Sequence, residues 1–92
     1  MKSVVVFVTL WLTQGGGYDD LSVQVYKDIK SCVQMLDRTE LDLRRKETFE
    51  VLRSERQLTE LGLISALVLE TLNKETNKKV LFECRNSYMF GD

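Results

Sequence analysis

Apolar residues in this chain follow three different patterns, and each predicts a different kind of element. From Val4 to Thr13 both alternating phases are apolar, with Val4, Val6, Val8, Leu10 and Leu12 in one and Val5, Phe7, Thr9 and Trp11 in the other. A strand covered on both sides reads this way, so the segment is expected at the centre of a sheet. Its β-branched and aromatic residues suit a strand better than a helix. The same run, preceded by Lys2 and followed by Thr13-Gln14-Gly15, also matches a secretory signal peptide that would be removed. The strand reading is preferred.

Gly15-Gly16-Gly17 breaks this pattern, and Asp19 or Asp20 could cap a helix behind it. From Asp20 to Asp37 a helical period places Leu21, Val25, Tyr26, Ile29, Cys32, Val33 and Leu36 on one arc, with Gln24, Lys27, Lys30, Ser31 and Gln34 opposite. The stretch from Leu21 to Val25 also alternates as a strand. The helical pattern covers more residues and is taken as the prediction.

Between Thr39 and Arg53 the pattern is divided. Leu41 and Leu43, then Phe49 and Val51, alternate with charged residues as in a hairpin turning at Arg45-Lys46-Glu47. Glu40 before Arg44 and Asp42 before Lys46 are instead helical pairs. Ser54 and Gln57 form a capping-box pattern, and Leu58, Leu61, Ile64, Val68, Leu69 and Leu72 make an apolar helical face up to Asn73. Leu63 and Leu67 are left on its opposite side as a docking ridge. After the polar link from Asn73 to Asn77, Val80, Phe82 and Cys84 alternate with Leu81, Glu83 and Arg85 as a last strand, and the chain finishes in a short tail.

These elements give one α/β domain over residues 1–92, in the βαββαβ order of a ferredoxin-like two-layer sandwich. The alternative is a pair of N- and C-terminal strands packed on a long helical hairpin.

Composition removes more functions than it suggests. The chain has no histidine, which deprives it of the commonest general base and metal ligand. No activated serine or cysteine motif is present, so no catalytic residue, metal ligand or cofactor is assigned. The triglycine lacks the lysine and the spacing of a phosphate loop. Lys and Arg number 13 against 14 Asp and Glu, and this balance disfavours nucleic acid as a partner. No run approaches the ~20 apolar residues of a membrane span. Cys32 and Cys84 fit no metal or redox spacing and read as reduced, buried thiols in a cytoplasmic protein.

What remains is an open sheet face expected to carry Phe7, Trp11 and Leu81, together with the ridge at Leu63 and Leu67. These residues are the candidate interface of a small non-enzymatic adaptor, inhibitor or regulator that binds another protein or a second copy of itself as a homodimer. Two alternatives stand beside it. One is a nucleic-acid-binding protein or metal-dependent nuclease, with bases stacked on the aromatics and a metal held by Asp19, Asp20 and a carboxylate such as Asp42 or Glu50. The other is a secreted protein that loses its first ~15 residues as a signal and bridges Cys32 to Cys84.

Overall fold

A computed structural model describes residues 2–12 and 17–89, and side chains within 4–11 and 22–87. Among the described residues the chain forms β1 (Lys2–Leu12), β2 (Tyr18–Tyr26), α1 (Ile29–Arg44), β3 (Phe49–Leu58), β4 (Ile64–Asn73) and β5 (Lys78–Met89). The five strands make one antiparallel sheet in the order β2-β1-β5-β4-β3. The result is a small α/β domain with the order ββαβββ. Neither the ferredoxin-like βαββαβ sandwich nor the long helical hairpin matches it, because the helix lies between β2 and β3 and the expected second helix is a β-hairpin.

The first strand is where its two-sided pattern placed it, paired with β2 on one side and β5 on the other. Residues directly opposite in a ladder share a face. Phe7 lies opposite Cys84, and Cys84 is joined to Cys32 of α1 by a disulfide, so this is the helix-covered face. Val5, Phe7, Cys32, Leu36, Leu43, Leu67, Leu69 and Cys84 form its core. The cysteines are therefore bonded rather than reduced, which corrects the thiol reading. Their burial was anticipated; their pairing joins residues 52 positions apart and left no mark in the spacing.

The helix predicted from Asp20 to Asp37 is half correct. Ile29, Cys32, Val33 and Leu36 do lie along a helix against the core, but it starts at Ile29. Its cap is Asp28, whose carboxylate accepts the Ser31 N–H at 2.7 Å, not Asp19 or Asp20. Residues 21–25 belong to β2, where pairing with β1 uses the alternation from Ser22 onward. Downstream, the helical reading wins as far as Arg44, with Arg44 on Glu40 at 2.8 Å, and β3 begins only at Phe49.

The helix expected from Ser54 to Asn73 is the larger error. Apart from Ser65, Glu70 and Thr71, residues 64–72 are apolar in both alternating phases: Leu67, Leu69 and the buried Thr71 face α1, and Ala66, Val68 and Leu72 face away. A two-sided strand explains this run better than a helix with one apolar stripe. The Thr71 hydroxyl is satisfied by donating to the Val80 carbonyl across the ladder at 2.9 Å. The link at residues 74–77 is a turn as predicted, with Asn77 at φ 58°, and the last strand runs past Arg85 to Met89. Most of the triglycine lies outside the described residues.

Candidate protein-interaction surface

Between β3 and β4 the chain reverses through residues 59–63. The Thr59 N–H donates to the Leu63 carbonyl at 2.8 Å, the Gly62 N–H to the Thr59 carbonyl at 2.9 Å, and the Leu63 N–H to the Thr59 hydroxyl at 3.1 Å. Gly62 takes φ 79°, a left-handed conformation that disfavours any other residue here. The turn is thus fixed by its own hydrogen bonds, and it holds its leucines outward: Leu61 is 86% exposed, and Leu58 and Leu63 are about half exposed.

The tip also stands apart from the rest of the sheet. The β4–β5 ladder runs only from Val68 opposite Glu83 to Asn73 opposite Lys78, while β4 pairs with β3 from Ile64 onward. Beyond Val68, β3 and β4 continue as a two-stranded ribbon, still packed on the core through Leu67 and Ile64, whereas the far part of β5 pairs with β1. A narrow ribbon ending in exposed leucines has the shape of a wedge.

The residues chosen from the sequence are dispersed. Phe7 is 3% exposed beneath α1, with its ring 6.0 Å from that of Phe82. Trp11 lies two positions further in the same phase, partly exposed, with the Lys78 ammonium 4.9 Å from its ring centre. Leu81 is opposite Leu10 and so occupies the other face, half-buried. Leu67 is 2% exposed in the core, and only Leu63 sits at the exposed tip. The expected open face and the expected ridge are both redistributed by the strand assignments. Leu58 and Leu61 were missed as surface residues because a helical period places them in a core stripe. Gly62, in the middle of that stripe, was the available signal of a turn.

The polar cluster nearest this ribbon joins β3 to α1. Arg56 donates to Asp37 at 2.8 Å, to Glu40 at 3.0 Å and to the backbone carbonyls of Glu55 and Val68 at 2.9 and 3.3 Å. The Ser54 hydroxyl donates to Glu40, as does Arg44. Burial opposes the charge on Glu40, but the hydrogen bonds from Ser54 and Arg44 and the nearby Arg44 and Arg56 charges outweigh it and hold the carboxyl below its ordinary value. With Leu41 these side chains line a groove of about 360 Å³ whose polar groups are engaged with one another. Their mutual satisfaction is what a structural clasp requires. Among the described residues no group of three or more His, Cys, Asp or Glu is placed to hold a metal, and no helix is long and apolar enough to cross a membrane. Asp19 and Asp20 lie in β2, opposite Trp11 and Leu10, and their side chains are outside the described set.

Comparison with protein-family models, with curated proteins and with solved structures found no match to this chain.

Proposed function

We propose that this chain is a non-enzymatic protein-protein interaction module, an adaptor, inhibitor or regulator, that engages its partner through the β3–β4 hairpin. The observation that carries the reading is Leu61, at the tip of a hydrogen-bonded turn with its side chain almost wholly in water. Exposed apolar residues clustered on a fixed protrusion gain most by insertion into a concave, desolvated pocket. The partner that fits is a protein with a narrow apolar cleft, since the wedge is only two strands wide.

The disulfide supports a second element of the reading, an oxidising compartment, because buried structural disulfides persist outside the reducing cytosol. This favours the secreted alternative over a cytoplasmic one. The stacking alternative is less well supported, since Phe7 is covered and offers no free ring face.

The test uses the oxidised full chain and its Leu61→Glu variant to recover proteins from source material. Leu61 is exposed, so the variant keeps the fold. A true partner is recovered by the parent chain and lost about tenfold or more with the variant, the scale of a hot-spot residue. Equal recovery of every partner by both chains overturns the proposal.

A further inference from the structure

The two outer strands of the sheet are protected very differently. On β3, Glu50, Arg53, Glu55 and Arg56 and two register shifts interrupt the edge, as expected of a strand kept from pairing with another chain. On β2, residues 22–26 read Ser-Val-Gln-Val-Tyr, without a charge or a proline, and Val23 and Val25 are 52% and 53% exposed. The one irregularity of β2 comes earlier: Thr9 pairs with Ser22 and Leu10 with Asp20, leaving Leu21 as the extra residue of a bulge. Residues 22–26 are thus a regular, uncharged edge whose outer backbone side meets no strand among the described residues.

We infer that this edge pairs with the same edge of a second copy, β2 to β2 and antiparallel about a two-fold axis at Gln24, which joins two sheets of five strands into one of ten. The inference is independent of the hairpin reading. Two features of β2 select a second copy as the occupant. Centring on Gln24 sets Val23 of each chain opposite Val25 of the other, so both exposed valines gain an apolar cross-strand neighbour, twice over. Ser22 then faces Tyr26. An isologous contact of this kind closes after two copies.

Sedimentation velocity over a range of concentrations, on the oxidised full chain, gives a monomer–dimer equilibrium. Val25→Lys puts a charge at a solvent-exposed position of the edge and raises the dissociation constant at least about tenfold. Val23→Glu added to Val25→Lys sets opposite charges against each other on both sides of the axis and restores the dimer, a recovery that loss of folding cannot produce. Leu61→Glu leaves the equilibrium unchanged, which separates this contact from the hairpin. A chain that stays monomeric at the highest soluble concentration overturns the inference. So does a dimer indifferent to Val25→Lys, and failure of the Val23→Glu, Val25→Lys pair to rescue overturns the register.

Discussion

Arg56 shows how one side chain can set the relation between two elements. It reaches from β3 to two carboxylates of α1 and to two backbone carbonyls, with a planar fork that a lysine ammonium could not reproduce. Replacing Arg56 with Met leaves those carbonyls and Asp37 without its donors and should cost about 1–3 kcal/mol in urea unfolding. Arg56→Lys should recover only part of it. The same cluster gives stability a pH dependence. Glu40 titrates below its ordinary value of 4.5 when folded, so the unfolded chain takes up that proton first as pH falls. Its contribution is full above 4.5 and is lost as pH drops through the lower folded value. Asp28 behaves in the same sense from its ordinary 3.8, because the Ser31 N–H and hydroxyl bond to its ionised form. Urea midpoints should therefore fall on the acid side, and Glu40→Gln should flatten the upper part of that fall.

At the scale of elements, legibility depended on whether one period could explain a segment alone. β1 and β5 were visible because β-branched or alternating residues leave no helical reading of equal merit. α1 is legible from Ile29 to Asp37, while its last turns to Arg44 fall in the stretch divided between hairpin and helix, and its apparent start is carried back through Val25 and Leu21, which satisfy a helical arc and a strand alternation equally. Pairing with β1 decides between them, and a tertiary contact of that kind is not written in the local pattern. The capping pattern at Ser54 misled for a similar reason. A serine three residues before Gln57 can cap a helix, yet this hydroxyl donates to Glu40 across the β3–α1 contact. Gly62 was the more reliable residue, because its φ of 79° is required by the turn itself. No atom stands within 4 Å of a Cβ added there, so Gly62→Ala meets no clash and its cost is the backbone strain alone, about 1–2 kcal/mol. Thermal unfolding should register that loss, and the tip amides of residues 59–63 should exchange faster. Unchanged exchange would mean that the turn does not depend on the left-handed residue.

Across the whole molecule, the disulfide is the one covalent tie between helix and sheet. Cys32 in the first turns of α1 and Cys84 in the helix-facing phase of β5 are 0% and 3% exposed, and they close a loop spanning most of the chain. A chain-entropy estimate for a 52-residue separation gives about 4 kcal/mol, a large share of the stability expected of a domain this small. The sequence alone leaves this bridge as one alternative beside two thiols, since only the docking of α1 on the sheet brings the cysteines together. The expected outcome is a sharp fall in the urea midpoint when reductant is added to the unfolded chain before refolding, with Cys32→Ala plus Cys84→Ala giving a loss of about 2–4 kcal/mol. Because both sulfurs are buried, an added dithiol reductant should reduce the native protein only at the rate at which α1 lifts from β5, and a thiol probe should label the cysteines only after that reduction. Intact mass, which counts the two hydrogens gained on reduction, follows that opening directly. Rapid reduction of the folded chain, or equal midpoints for the oxidised and cysteine-free forms, would show that the helix holds its place by packing alone.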